Sequence, residues 1–222
     1  MCLMIRAGSW KSGLNGSDHQ RAVADLIAEF NLTFLGLLEM RVRQIHAPNV
    51  QVAISNRFTW LHTRCLIYVI YGSCDIVERR ALWDTIIQLS SSCASHPWLV
   101  LGDFNVVLDR SEVSGAAVFQ EDASGEFHQC LMQVGLTTLP LKGASLSWHN
   151  IRDGEASIWK RLDRVVANDV WFERWPSQYY LSTTPRTSDH SPVILCSADQ
   201  RLHSRGMFRF DNWMTLTPHF SN

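Results

Sequence analysis

The sequence predicts an α/β layered fold. Apolar runs of strand length alternate with segments whose apolar residues recur at helical spacing, which is typical of sheets covered by helices. The chain has 222 residues, 46% of them hydrophobic, and that is enough for a continuous core. Its 20 basic and 21 acidic residues nearly cancel. This balance excludes a protein that holds nucleic acid by bulk positive charge, so any contact with a polyanion must be local.

The first half of the chain predicts two helices and three buried strands. A helix is predicted from Ser17 to about Phe30, because Ser17 and Gln20 have capping-box spacing and the apolar residues that follow fall on one face. Apolar runs of strand length predict the strands. The strands are residues 32–39, 65–71 and 98–103, and a helical pattern from 77 to 89 separates the last two.

The second half predicts one more long helix and then a set of hairpins. The helix runs from Asp122 to Val134, with Gly135 in the C′ position. Short strand-like pieces follow, separated by polar turns, as at sheet edges. They are residues 145–149, 158–162, 179–182 and 193–196, with a short helix near 168–175. We predict one domain over 1–198, and interpret 199–222 as a tail or the start of a missing downstream region.

Cysteine spacing and hydropathy indicate the compartment in which the protein is found. The six cysteines are scattered without zinc-ribbon spacing, so we expect small core residues in a reducing compartment and no disulfide-linked partner. The apolar stretch at the N-terminus is too short for a secretory signal peptide, and no later segment approaches the roughly 18 consecutive apolar residues of a transmembrane helix. We therefore expect an intracellular protein without membrane contact.

Polar groups that suit phosphoryl chemistry stand at the ends of three apolar runs. Glu39 ends the first, Asp103 and Asn105 follow the third, and Asp189 and His190 precede the last strand. Loops at strand ends gather functional groups, although a single Asp there is more often a turn former. Carboxylates brought together repel one another unless a cation lies between them, and oxygen ligands favour magnesium or manganese. A metal-assisted phosphoryl site is the chemistry that these residues favour.

Three motifs in fixed order carry a resemblance to a known family. They are GDFN at 102–105, RLD at 161–163 and SDHSP at 188–192. They resemble the exonuclease–endonuclease–phosphatase superfamily, which includes apurinic endonucleases and DNase I-like nucleases. Longer phrases are similar to the endonuclease domain of plant LINE-type (non-LTR) retrotransposons over roughly residues 9–198, among them GLNGSDHQRAV, PWLVLGDFNVVL, RLDRVVAND and TSDHSPVIL. The resemblance implies a four-layered α/β sandwich with the active site at one end of its two sheets.

The resemblance also implies an activity and a set of residue roles. The activity is divalent-metal-dependent phosphodiester cleavage, with Mg²⁺ or Mn²⁺ as cofactor, in which DNA is nicked in the nucleus to expose a 3′-hydroxyl primer. The implied roles are metal binding by Glu39 and Asp189, water activation by Asp103, water and phosphate binding by Asn105, orientation of His190 by Asp163, charge stabilisation by His190, phosphate contact by Tyr71, and proximity to DNA for Ser147.

Three of these residues keep an alternative interpretation. Glu39 follows a predicted buried strand, and it would be a solvated residue there if it bound no metal. Asp163 has Arg161 and Arg164 as neighbours in the sequence, and it would pair with one of them if it lay on a surface strand. Tyr71 ends a predicted strand, and aromatic residues end strands routinely.

Two departures from the family pattern bear on activity. Lys11 stands where relatives carry an asparagine of the metal site, and an ammonium there would compete with a metal for the carboxylates. Residues 42–64 leave room for only one or two short strands, so the first sheet is predicted to be incomplete, and residues 1–8 match the expected first strand poorly. Two hypotheses stay open: a DNA-nicking endonuclease, and a catalytically inactive element-derived remnant.

Overall fold

Two β-sheets and the helices that cover them form four layers. The computed structural model describes residues 7–11, 16–32, 34–38, 65–184 and 187–197. The helices in these ranges are α1 (Ser17–Phe30), α2 (Ile76–Cys93), α3 (Glu121–Val134) and α4 (Asp169–Arg174). The strands are β1 (Ala7–Lys11), β2 (Phe34–Leu38), β3 (Leu66–Tyr71), β4 (Trp98–Asp103), β5 (Val113–Gly115), β6 (Thr137–Thr138), β7 (Leu141–Gly143), β8 (Trp148–His149), β9 (Ile158–Lys160), β10 (Asp163–Ala167), β11 (Gln178–Ser182) and β12 (Val193–Ser197).

The described strands form two main sheets and one small one. The first sheet has the order β2-β1-β12-β11-β7, and the second has the order β3-β4-β10-β6. A small sheet, β5-β9-β8, extends beside them. Both main sheets mix parallel and antiparallel pairs: β1 is parallel to β2 and antiparallel to β12, while β4 is parallel to β3 and antiparallel to β10.

Strand β4 shows how the second sheet acquires two buried faces. Leu99 and Leu101 point into the core between the sheets, together with residues of β10, β11 and β12. Trp98 and Val100 point the other way and pack with residues of α2 and α3. Successive side chains of β4 thus pack alternately against the first sheet and against the helices. As a result, all six residues of β4 are buried.

Helix α1 covers the outer face of the first sheet. Its buried Val23 and Leu26 pack with Trp10 of β1 and with Ile194 and Cys196 of β12. Helix, first sheet, second sheet and helices therefore stack in that order, and the predicted four-layered α/β sandwich is confirmed.

The structure corrects several predicted boundaries. Helix α1 begins as predicted, but Gly16 is its N-cap and no side chain caps it, so the predicted capping box at Ser17 is wrong. The predicted strand at 158–162 is β9 and ends at Lys160, and β10, which begins at Asp163 in a different sheet, was not predicted. Residues 7–11 form β1, so the poor match expected near the N-terminus did not prevent a strand there.

Some sequence-based predictions fall outside the described ranges. Residues 39–64 are not described, and they include the segment 42–64 from which we predict an incomplete first sheet; residues 198–222 are not described either. The shortened sheet and the tail therefore stay predictions.

Membrane and disulfide predictions can be compared with the described residues. No helix in the described ranges has the length and apolar content needed to cross a bilayer. Five cysteines lie in those ranges and none is in a disulfide; all of them are buried except Cys74.

Candidate active site

Three residues form a row across one end of the second sheet. Asp103, the last residue of β4, is paired with Tyr71 of β3 on one side and with Asp163 of β10 on the other. Directly paired residues point to the same face of a sheet, and Leu101 of that face belongs to the core between the sheets. The register therefore places two carboxylates side by side at the end of this core.

His190 reaches these carboxylates from the segment that leads into β12. Its Nδ1 lies 2.8 Å from Asp163 Oδ2, and its Nε2 lies 3.7 Å from Asp103 Oδ2. Trp10 Nε1 donates to the His190 carbonyl over 3.0 Å, and the His190 backbone N–H donates to Ser188 Oγ over 3.1 Å. The imidazole is buried and is held on both its ring and its backbone.

Ser147 lies behind Asp163 rather than at the surface. Its hydroxyl donates to Asp163 Oδ2 over 2.7 Å and accepts from the N–H groups of Leu162 and Asp163. The side chain is buried at 1% exposure. The resemblance implies proximity to DNA for Ser147, but the structure places the hydroxyl where it orients the Asp163–His190 pair.

Burial and charge shift the pKa values of this group. Burial raises the pKa of Asp103 to about 6, and the negative charge of Asp163 adds to the rise, against the opposing effects of His190 and Lys11. Burial by itself lowers the pKa of His190, but the charge and hydrogen bond of Asp163 outweigh it, so the pKa is raised above its usual value. A histidine that is protonated more readily and a carboxyl group that is more basic suit proton transfer near neutral pH.

Asn105 is held against Asp103 in a left-handed conformation, with φ 52°. Its backbone N–H donates to Asp103 Oδ1 over 2.9 Å, and its Nδ2 lies 3.2 Å from Asp103 Oδ2 and 2.7 Å from the Gly72 carbonyl. The buried Arg79 of α2 donates to the carbonyls of Asn105 and Cys74. Non-glycine residues adopt positive φ seldom, and here the contacts of both the side chain and the carbonyl stabilise it.

Lys11 brings an ammonium to the same carboxylate. Its Nζ lies 3.2 Å from Asp103 Oδ2 and 4.7 Å from the centre of the Tyr71 ring. The Lys11 side chain is only 14% exposed, whereas Tyr71 is 42% exposed at the rim of the site.

The remaining predicted residues lie beside this group or outside the described part of the chain. Asp189 Oδ2 accepts from Trp148 Nε1 over 2.9 Å, and its Oδ1 lies 3.3 Å from Ser188 Oγ. Glu39, the other predicted metal ligand, is outside the described residues.

Asp103, Asp163 and His190 are residue types that bind metal ions, but their ligand atoms already contact other side chains. Asp103, Asp163 and His190 each offer an atom within 4.8 Å of the others. However, His190 Nδ1 and Asp163 Oδ2 are hydrogen-bonded directly, and Asp103 Oδ2 contacts Lys11 Nζ and Asn105 Nδ2. A cation could enter only by displacing these partners. As arranged, the described residues therefore do not fit a divalent ion among these three side chains.

The structure thus brings four of the predicted residues together, namely Asp103, Asn105, Asp163 and His190, with Tyr71 at the rim. The alternative for Asp163, a surface pair with a neighbouring arginine, is wrong, because Asp163 is buried on His190. Arg79 was not predicted. The signal for it was an arginine at helical spacing from the buried Trp83 and Ile86, where an apolar residue is expected.

Comparisons with known proteins place the chain in a family. Residues 10–190 match the model of the Endonuclease/Exonuclease/phosphatase family, and no curated protein matches the sequence. The structure is similar to the 3′ phosphatase NExo from Neisseria bound to a product DNA hairpin, with TM-score 0.67 and 15% identity over 87% of this chain and 99% of that one.

Two further solved structures are similar. For an AP endonuclease from Archaeoglobus fulgidus the TM-score is 0.62, with 12% identity over 88% of this chain and 100% of that one. For the endonuclease domain of TRAS1, a telomere-specific non-LTR retrotransposon, the TM-score is 0.60, with 12% identity over 89% of this chain and 100% of that one. Identities this low support the fold alone. The match over residues 10–190 shows that the chain belongs to the Endonuclease/Exonuclease/phosphatase family.

Proposed function

We propose that the protein is a nuclease that hydrolyses phosphodiester bonds of DNA, as an endonuclease that nicks one strand. The observation that carries the proposal is the buried Asp163–His190 hydrogen bond directly beside Asp103. Family membership supports hydrolysis of this kind. The product-bound NExo and the retrotransposon endonuclease domain share this fold, and together with the motifs at 102–105, 161–163 and 188–192 they are our reason to propose DNA as the substrate and an origin in a LINE-type element. Action in the nucleus belongs to the same proposal.

The residues divide the chemistry of hydrolysis among them. A phosphodiester is an anion that repels hydroxide, so the site must neutralise charge and position a water molecule. A protonated His190, oriented by Asp163, donates to a phosphate oxygen and stabilises the charge that develops there. Asp103 accepts the proton of the attacking water, which Asn105 helps to position. The water oxygen bonds to phosphorus while the phosphorus–oxygen bond to the leaving strand breaks, and the leaving oxygen takes a proton from solvent. Tyr71 contacts the phosphate from the rim.

A divalent ion is part of the proposal but not of these steps. The resemblance implies Mg²⁺ or Mn²⁺ bound by Glu39 and Asp189, and such an ion would neutralise phosphate charge. The side chains of Asp103, Asp163 and His190 do not fit it as arranged, so the proposal assigns the ion to Glu39 and Asp189 alone.

One observation favours the second candidate, an inactive remnant of a retrotransposon. Lys11 stands where relatives carry an asparagine, and its ammonium lies 3.2 Å from Asp103 Oδ2. A carboxylate engaged in this way is a weaker proton acceptor for water.

Nicking of supercoiled plasmid in Mg²⁺ or Mn²⁺ tests the proposal. The variants His190→Gln and Asp163→Asn are expected to lose about 10²–10³-fold in rate. The matched controls His128→Gln and Asp84→Asn change exposed residues of α3 and α2, and we expect them to stay within twofold of the wild type.

Each other outcome decides between the two candidates. Equal nicking by the wild type and the site variants would identify a contaminating nuclease and overturn the proposal. If the wild type is inactive and Lys11→Asn nicks DNA, the chain is a remnant silenced at Lys11. Inactivity of both would leave the remnant without a repairable site.

A further inference from the structure

We propose that Lys11 is a resident cation that replaces a divalent metal ion at Asp103. The inference rests on the proposed function, since it concerns the same site, but its test uses no DNA. Three observations carry it: the contact of Lys11 with Asp103, the way the surrounding residues fix Lys11, and the side-chain partners that the two carboxylates already have.

The Lys11 ammonium contacts Asp103 directly. Lys11 Nζ lies 3.2 Å from Asp103 Oδ2, a carboxylate whose side chain is completely buried. The ring of Tyr71 lies 4.7 Å from the same Nζ, and an aromatic face at this distance attracts a cation. Lys11 therefore has a favourable electrostatic contact on each of two neighbouring strands.

The backbone around Lys11 is held by the segment that carries His190. Ser188 Oγ donates to the Lys11 carbonyl over 2.5 Å, and Trp10 Nε1 donates to the His190 carbonyl over 3.0 Å. Lys11 is also paired with Leu38 at the end of β1. Because these contacts fix its Cα and the side chain is 14% exposed, the ammonium has little room to leave the site.

Each carboxylate of the group already has a side-chain partner. Lys11 Nζ contacts Asp103, and His190 Nδ1 is hydrogen-bonded to Asp163. Adjacent carboxylates repel each other, and a cation beside them relieves the repulsion. Here the Lys11 ammonium supplies that positive charge at Asp103 from the chain itself.

A divalent ion on Asp103 would meet repulsion from the same ammonium. An ion that binds a carboxylate oxygen lies about 2.0–2.6 Å from it, and Lys11 Nζ already lies 3.2 Å from Asp103 Oδ2. The two cations would be neighbours in a buried setting, where charges are poorly screened. An asparagine at this position would have the opposite effect, because its amide oxygen is a ligand for hard cations.

Binding of Mn²⁺ to the free protein, followed by the loss of the aqueous Mn²⁺ signal in electron paramagnetic resonance, tests the inference. We compare the wild type with Asp103→Asn, Lys11→Asn and the double variant. Wild type and Asp103→Asn should bind Mn²⁺ equally, because Asp103 is not a ligand while Lys11 is present. Lys11→Asn should bind Mn²⁺ at least tenfold more tightly than the double variant, because it frees Asp103.

A matched control removes the same charge elsewhere. Lys142 of β7 also lies over a tyrosine ring, 3.8 Å from the centre of Tyr179, and β7 is three strands away from β1 in the first sheet. Lys142→Asn should leave the Mn²⁺ affinity within twofold of the wild type. An equal gain in Lys142→Asn and Lys11→Asn would show a general charge effect and would overturn the inference.

The wild-type protein alone can also contradict the inference. If Asp103→Asn weakens Mn²⁺ binding relative to the wild type, Asp103 is a metal ligand in the presence of Lys11 and the inference is wrong. If Lys11→Asn does not fold, Lys11→Met removes the charge while keeping an apolar stem against Tyr71, and the same comparison applies. None of these affinities depends on nicking, so failure of the proposed function leaves this test intact.

Discussion

Replacing Glu112 by alanine should destabilise the protein strongly, because this buried carboxylate is the counter-charge of a buried arginine. Glu112 accepts from both terminal nitrogens of Arg164, from Arg161 Nη1 over 3.2 Å and from the Leu108 backbone N–H over 2.7 Å. The Arg164 side chain is 1% exposed. The substitution would leave its guanidinium without a counter-charge in the interior.

The expected magnitude follows from this burial. Removing one partner of a buried ion pair costs about 3–5 kcal/mol. At about 2–4 °C per kcal/mol for a chain of this size, the thermal midpoint should fall by about 6–20 °C. Thermal unfolding followed by circular dichroism measures it. The matched control is Glu126→Ala, which removes the partner of Arg80, and that arginine is 54% exposed. Exposed pairs contribute little, so the control should unfold close to the wild type.

The comparison of the two alanine variants decides whether burial sets the effect. Equal midpoints for Glu112→Ala and Glu126→Ala would refute the reasoning. So would a wild-type midpoint in Glu112→Ala, because it would mean that Arg164 reaches water or another partner at no cost.

Three further predictions concern the site and its supports. Burial raises the pKa of Asp103 from 3.8 to about 6, so protonation stabilises the fold, fully below about pH 4 and progressively less as the pH rises through about 6. The free energy of unfolding of the wild type, relative to that of Asp103→Asn, should therefore fall by up to about 3 kcal/mol between about pH 4 and 7. Urea titrations measure both free energies. A difference between the two proteins that does not change with pH would contradict the prediction. Asn168→Ala should lower the free energy of unfolding by about 2–4 kcal/mol in the same assay, because the buried side chain of Asn168 binds three backbone groups. The control Asp75→Ala removes an exposed N-cap and should lower it less. Equal losses in the two variants would refute the argument. Gly102→Ala should lower the thermal midpoint sharply, because Gly102 has φ 141° and an added Cβ would lie 2.1 Å from a carbonyl oxygen of β3. In the control Gly125→Ala, the added Cβ has nothing within 4 Å, and the midpoint should not fall. Similar midpoints in the two variants would contradict the steric reason.

Elements with a clear period or a long apolar run could be predicted from the sequence. Helix α1 has both predicted ends, and the apolar run of β4 gives its strand directly. The strands β6 and β7 have two and three residues, too few to show any period, and only their partners define them. Strand β10 was missed because two charged residues, Asp163 and Arg164, make up its beginning and leave only a short apolar run. Its Arg164 looks like a solvent-facing residue until the Glu112 partner is known.

The candidate site divides in the same way. Residue types in fixed motifs indicated Asp103, Asp163 and His190, whose chemistry does not depend on detailed packing. The position of Ser147 depended on which face of its segment is buried, and a shift of one residue would reverse that face. The support of Asn105 by Arg79 joins residues that are distant in sequence, so no local pattern could reveal it.

The charges of the site are divided between the two sheets in a way that couples the site to the fold. Both carboxylates, Asp103 and Asp163, end or begin strands of the second sheet. The two basic side chains that contact them come from the first-sheet side: Lys11 ends β1, and His190 precedes β12. Like charges directly opposite each other on neighbouring strands are destabilising, so this end of the second sheet is electrostatically unfavourable until the first sheet packs on it. Packing of the first sheet on the second therefore also brings Lys11 and His190 to these carboxylates. Any change that loosens β1 should expose two poorly compensated carboxylates, and the site should be lost before the apolar core between the sheets opens.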